Sequence, residues 1–290
     1  MGQAVLRMNP TTPHLYRGYG LTIASMFPLP GALPGGTGPS DLAVVAGPAR
    51  LAGEAIQSGP YRHSGKALEL EIADVGRFVL TDPNRLEVAA TPGCDPDVLG
   101  AYIIASGLPM LLWRRGGVLF HAAGLALPGR AVVALAGASG VGKSTLSQAL
   151  LELGACLIGD DTLWLPTPDS REICGLSGGQ FHRTALGEPV FHALPGSRQS
   201  DPAPLDVLVV LDRSGKVPGL QKLAGLDALQ ALLAVRHRPR VAALLGREPD
   251  VLAACAKLAA LLPVYRLTMQ EGQVAASAAL LMALADELRH

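Results

Sequence analysis

Eight residues decide most of what this chain can fold into: Gly137-Ala138-Ser139-Gly140-Val141-Gly142-Lys143-Ser144. Their spacing is GxxxxGK[ST], in which glycines free the backbone to curl its N–H groups toward one anion. Such a loop is expected between a buried strand and a helix, because the positive end of the helix completes the anion site. The flanks meet both demands. Ala131 to Ala136 is a continuous apolar run of strand length, and Ser144 to Leu153 is apolar at Leu146, Ala149, Leu150 and Leu153. Lys143 offers a charge to the β- and γ-phosphates of a nucleotide, and the Ser144 hydroxyl offers a ligand to Mg²⁺. Gly137, Ser139, Gly140, Val141, Gly142 and Thr145 complete the expected cradle, so ATP and Mg²⁺ are the expected cofactors.

The rest of the chain reads as α/β. Before the loop, Ala67 to Ala73, Arg77 to Thr81 and Arg85 to Ala90 alternate as strands, with turns between them. Pro28 to Ser40 is crowded with Pro and Gly and reads as a loop. Asp95 or Asp97 is placed to cap a helix reaching about Trp113, with a kink expected at Pro109. Beyond Gly116, buried strands are expected at Val118 to Phe120, Cys156 to Ile158, Val207 to Leu211 and Val264 to Thr268. Helices are expected at Asp227 to Val235, Val251 to Leu262 and Val274 to Leu288. Alternating strands and helices predict an α/β layer sandwich. The expected division is a small β-rich domain over 1–115 and a nucleotide domain over 116–290.

Composition narrows the partners. The chain has 290 residues, 49% of them hydrophobic, enough for a substantial core. Its 24 basic residues balance 24 acidic ones, which argues against nucleic acid as an obligatory partner. Arg236, His237, Arg238 and Arg240 form a basic run, read as a solvated loop or helix end. The four cysteines, Cys94, Cys156, Cys174 and Cys255, make no CxxC pair and are expected as scattered buried thiols. Met1 to Leu21 carries no signal-peptide-like apolar run. Tyr102 to Trp113 is too short to span a bilayer and is broken by Gly107 and Pro109. A cytoplasmic protein with no membrane partner is expected, and a homo-oligomer is compatible.

Eighteen positions past Lys143 come Asp160 and Asp161, at the end of Leu157-Ile158-Gly159. Adjacent carboxylates at the end of an apolar strand need cations or hydrogen bonds to satisfy them. In a parallel α/β sheet the carboxyl end of one strand lies beside the phosphate loop of the next. Either aspartate could then reach Mg²⁺ on Ser144, leaving the other to accept a proton, as phosphoryl transfer to a hydroxyl requires. His121 follows Val118-Leu119-Phe120 at another strand end, where a lone histidine gains meaning only from its neighbours.

Three segments together resemble a family. Gly117 to Ala122, Ala136 to Thr145 and Gly154 to Asp161 are similar, in order and spacing, to the HPr kinase/phosphorylase core. That family phosphorylates a serine of a small protein with ATP. The resemblance implies a HPr-kinase-like P-loop core, Asp160 as general base, Asp161 as metal-side carboxylate and His121 as a supporting group near the γ-phosphate. Arg183 and Arg236 are candidates to orient an acceptor. Two departures stand out: Ser144-Thr145 where the bacterial regulators have Ser-Glu, and Glu172-Ile173-Cys174-Gly175-Leu176 where they carry Glu-Ile-Arg-Gly-Leu-Gly further downstream. Tyr16 to Ile23 resembles a divergent branch that phosphorylates lasso-peptide precursors at a terminal serine. A competing reading comes from Leu176-Ser177-Gly178-Gly179-Gln180, the signature of ABC transporter ATPases, but Arg213 follows Asp212 where their catalytic glutamate belongs. The loop reading predicts that Lys143→Ala weakens ATP binding and abolishes phosphoryl transfer; wild-type turnover in that variant would remove the assignment.

Overall fold

The computed structural model describes residues 12–47, 50–51, 53–129, 131–183, 189–213 and 217–288. It divides into two compact units. One comprises Met1–Arg17, Leu21–Pro30 and Pro34–Leu111; the other comprises Gly18–Gly20, Gly31–Leu33 and Leu112–His290.

The first unit is built on a nine-stranded sheet. The three expected strands appear as Ala67–Ile72, Gly76–Asp82 and Arg85–Ala90, antiparallel in sequence order. Parallel strands Leu42–Ala46 and Leu21–Ser25 extend the sheet beyond Arg85–Ala90. The Pro/Gly-rich stretch is not wholly a loop, since Leu33–Pro34 forms a short edge strand. Ile23, Val44, Leu68, Phe78, Leu80 and Leu86 are fully buried.

Asp95 caps the expected helix, its carboxylate accepting the Asp97 N–H at 2.7 Å. The irregularity expected at Pro109 sits ahead of it, as a π turn over Ile103–Gly107 between Pro96–Tyr102 and Leu108–Arg115. Proline cannot donate to the carbonyl four residues back and its ring presses on that carbonyl, so a wider turn just before it relieves both. The whole helix, Pro96–Arg115, runs 20 residues and contains an 18-residue stretch of mean hydropathy 1.3, long and apolar enough to cross a membrane, unlike the shorter Tyr102 to Trp113 run. However, 67% of that stretch is buried within the protein, the setting of a core helix.

The second unit holds a six-stranded mixed sheet, a departure from the parallel arrangement read from sequence. Its order is Cys156–Gly159, Ala122–Ala126, Val132–Ala136, Val207–Asp212, Val264–Thr268 and Gly219–Leu223. The three strands Val132–Ala136, Val207–Asp212 and Val264–Thr268 are parallel, and each has fully or largely buried residues, as central parallel strands require. Ala122–Ala126 is antiparallel to both of its neighbours, so Cys156–Gly159 and Val132–Ala136 still point the same way. Asp160-Asp161 and the glycine loop therefore follow their strands at the same end of the sheet although a strand separates them. Helices Lys143–Glu152 and Val274–Glu287 cover one face, where Leu146, Leu150, Ala278 and Leu281 pack with Val133, Leu135, Val209 and Leu267.

Val118–Phe120 does not join this sheet. It pairs with Leu163–Leu165 in a separate antiparallel ladder, Val118 opposite Leu165 and Phe120 opposite Leu163. Gly117 enters that ladder at φ +71°, and a Cβ there would lie 2.1 Å from the Leu165 carbonyl oxygen. Gly117→Ala should therefore lower unfolding free energy by about 2 kcal/mol or more, combining left-handed strain with the clash. A melting curve indistinguishable from wild type would contradict this packing.

Candidate active site

The glycine loop Gly137 to Gly142 joins strand Val132–Ala136 to helix Lys143–Glu152. Gly137, Gly140 and Gly142 adopt φ of +147°, +79° and +111°, all poorly accessible to other residues. A Cβ on Gly137 would press on Val141 and on the Leu211 carbonyl, whereas one on Gly140 would meet open space. Ser139, Gly140 and Thr145 are exposed, and Lys143 and Ser144 open the helix behind the loop.

Lys143 is the hub of the site. Its ammonium donates to the carbonyls of Gly137 at 2.7 Å and Ala138 at 3.1 Å, and meets His121 Nε2 at 3.0 Å. An ammonium only donates, so Nε2 must accept and the proton of the neutral ring sits on Nδ1. That nitrogen faces Asp161, 3.0 Å from its carbonyl and 3.2 Å from Oδ1. The ladder register explains the meeting: Phe120 opposite Leu163 brings the next residue, His121, back toward Asp161. Burial lowers the proton affinity of Lys143, and the charges of Asp161 and Asp160 oppose that.

Asp161 occupies a strained turn. Its φ is +64°, and the Thr162 N–H donates to the Asp160 carbonyl at 2.7 Å, closing a three-residue turn of the rarer, positive-φ hand. The turn separates two carboxylates with opposite fates. Burial first, then the charge of Asp161, push Asp160 up to about 6, against hydrogen bonds from the Phe181 and Asp161 backbone and the charge of Lys143. For Asp161, burial acts upward, but the His121 hydrogen bond and the electrostatic pull of His237, His121 and Lys143 outweigh it and hold the group at about 2. Pairs driven apart in this way are suited to distinct proton-accepting and charge-holding roles.

Close backbone packing fixes the pair. A Cβ on Gly159 would lie 2.6 Å from Gly175 Cα, so the Glu172-to-Leu176 segment runs directly against the aspartate strand. Cys174 pairs with Trp164 through two 2.8 Å backbone hydrogen bonds. All four cysteines are free thiols; Cys174 and Cys255 are buried, and Cys94 and Cys156 are partly exposed.

Several site residues were not singled out from sequence. Tyr19, fully buried at φ +56°, hydrogen-bonds Thr162 beside Asp161; burial first and then the charge of Asp161 raise its phenol. The pair Tyr19-Gly20 has positive φ at both positions, as a two-residue hairpin turn demands. Arg213, noted only as the wrong residue for a catalytic glutamate, donates to the Val141 carbonyl at 3.0 Å and braces the loop. His237 was grouped with a solvated basic run, yet it is 7% exposed and its ring lies 5.6 Å from that of His121, tilted at 45°. Arg236 bonds the Leu233 carbonyl and Glu248 at 3.3 Å, so its guanidinium is already engaged rather than held out for an acceptor. The side chain of Arg183 lies outside the described residues.

The Leu176-to-Gln180 motif is neither a transporter signature on a surface nor a surface loop. Leu176, Ser177, Gly178, Gly179 and Gln180 are all buried, and the last two begin strand Gly179–Arg183. Gln180 Nε2 donates to Ser147 Oγ at 2.8 Å on the helix behind the phosphate loop. A Cβ on Gly179 would collide with the His192 carbonyl and Phe191, so packing demands both the motif's second glycine and its glutamine.

No protein-family profile matches the chain. No curated protein matches it either. Among solved structures the chain is similar to the Hpr(Ser) kinase/phosphatase from Coxiella burnetii, at 15% identity and a TM-score of 0.38, over 59% of this chain and 92% of that one.

The opposed aspartates have opposite effects on stability. Asp160 binds its proton more tightly in the fold than its ordinary 3.8, so its contribution is full below pH ~4 and is lost as pH rises through ~6. Asp161 binds its proton less tightly, so its contribution is full above pH ~4 and is lost as pH falls toward ~2. At pH 7.5 Asp160→Asn should therefore raise unfolding free energy, by on the order of 1–3 kcal/mol. Denaturant titration checks this, and a destabilised Asn variant would contradict the buried-carboxylate account.

Proposed function

We propose that this chain is an ATP-dependent kinase that phosphorylates a serine hydroxyl of a peptide or small protein. The reading is carried by the convergence of Lys143 and Asp161, the neighbour of Asp160, through His121, at 3.0 and 3.2 Å. The loop of three positive-φ glycines, open at Gly140, fits a phosphate chain.

Gly137, Ser139, Gly140, Val141, Gly142 and Thr145 would hold the phosphates, and Ser144 with Asp161 would hold Mg²⁺. When bound, Mg²⁺ draws negative charge off the transferring group. Lys143 exchanges its carbonyl and imidazole acceptors for phosphate oxygens, at little loss because each bond is replaced by a charge-assisted one. Asp160 takes the proton of the acceptor hydroxyl: its proton affinity lies near neutrality, as a general base requires. Asp161 stays ionised, as a cation ligand requires. His121 holds Lys143 and Asp161 in register.

Within this class, the resemblance of Tyr16 to Ile23 points to a serine at or near the C-terminus of a lasso-peptide precursor as the acceptor, in the cytoplasm. HPr itself is the alternative acceptor. Incubation of either polypeptide with the protein, Mg²⁺ and ATP, followed by fragmentation, should locate one phosphoserine matched by ADP release. Asp160→Asn should cut turnover by roughly 10²–10⁴-fold, the value of a lost general base, with ATP affinity nearly unchanged. Undiminished transfer in that variant would overturn the assignment; phosphate on HPr and none on the precursor would overturn the acceptor.

A further inference from the structure

His237 stands outside the proposed phosphoryl-transfer machinery, yet it shares a cluster with two of that machinery's residues. One ligand-type atom each from His121, Asp161 and His237 all lie within 4.8 Å of one another. We propose that these three side chains form a divalent-cation site of the zinc class, separate from the Mg²⁺ position at Ser144.

The backbone holds all three in place. The His121 N–H donates to the Val235 carbonyl and the His237 N–H to the Leu119 carbonyl, each at 2.8 Å, so the two segments run side by side. The His237 carbonyl accepts the Trp113 indole N–H at 2.9 Å. Asp161 is fixed by its three-residue turn. Groups anchored in this way need little reordering to bind an ion.

The donor set chooses the ion. Magnesium and calcium favour oxygen ligands, whereas two imidazoles with one carboxylate suit zinc and the other imidazole-binding transition metals, iron and nickel among them. Three protein ligands with a position left open is the composition of reactive rather than purely structural zinc sites. Bonds of about 2.0–2.1 Å in tetrahedral geometry place ligand atoms about 3.3 Å apart, close to the 3.2 Å between His121 Nδ1 and Asp161 Oδ1. His237 must close the remaining distance by a side-chain rotation.

Ion binding also changes how Lys143 is held. A cation on His121 Nδ1 moves the ring proton to Nε2, which then cannot accept from the Lys143 ammonium. Filling this site therefore releases the lysine from His121 and leaves one of its protons for a phosphate. The site shares Asp161 with the Mg²⁺ position proposed above, and bridging carboxylates commonly serve two cations.

Co²⁺ is the probe, added to the full-length protein without nucleotide. Visible d–d absorption should appear, be displaced by Zn²⁺ and resist excess Mg²⁺. His237→Ala should weaken Co²⁺ binding by roughly 10–100-fold or more, since losing even an outer-shell partner has that effect. Because His237 is buried, His237→Gln provides a second variant that keeps a polar side chain of similar size and should lose Co²⁺ to the same degree. Ser144→Ala should leave Co²⁺ affinity unchanged. No Co²⁺ spectrum in the wild type, or wild-type affinity in both folded His237 variants, overturns the site. Loss of Co²⁺ in Ser144→Ala alone assigns the ion to the phosphate loop, overturning this site while the kinase reading stands. A His237-dependent spectrum in a protein that transfers no phosphate supports the site and overturns the kinase reading instead.

Discussion

The three protons of the Lys143 ammonium organise the polar half of this structure. They go to the carbonyls of Gly137 and Ala138 and to His121 Nε2. The first two close the glycine loop on its own lysine. The third fixes which nitrogen of His121 can donate, and so binds Asp161 into the same chain. Burial of Asp160, and after it the charge of Asp161 alongside, hold its proton affinity above that of an ordinary carboxylate, up to about 6. A loop, a histidine and two aspartates that are far apart in sequence thereby become one electrostatic unit.

The scaffold makes that unit possible by geometry rather than by adjacency. The aspartate strand and the phosphate-loop strand are not neighbours, but an antiparallel strand between them restores a common direction. The small ladder from Val118 to Phe120 then supplies His121 from outside the main sheet. Gly117, Gly159 and Gly175 allow these layers to approach within backbone contact, which no side chain at those positions would permit.

What could be read from sequence was what depends on local chemistry. The glycine spacing predicted the loop, its strand and its helix to within a residue, because backbone freedom and apolar period act over a few positions. The strand Val264–Thr268 was predicted at its observed limits, and of the two caps open for the long helix, Asp95 and Asp97, the first is the one used. Pairing over long distances was not legible. Ala122–Ala126 was missed as a strand because Ala-Ala-Gly-Leu-Ala carries little β-propensity, and its place between two hydrogen-bonding neighbours decides its conformation. His237 read as part of a charged run because its burial is produced by Trp113 and Leu119, more than a hundred residues away. The Leu176-to-Gln180 motif showed the reverse failure: a familiar pattern that is here a packed strand entry against Ser147.

The central claim is that Lys143, His121 and Asp161 form one directed hydrogen-bond chain. Nitrogen-15 NMR of the imidazole of His121, in metal-free protein without nucleotide at neutral pH, tests it most directly. The account predicts a neutral ring protonated at Nδ1 and bare at Nε2, with that preference lost when Lys143 is replaced by methionine. A ring protonated at Nε2, or a tautomer indifferent to Lys143, would contradict it.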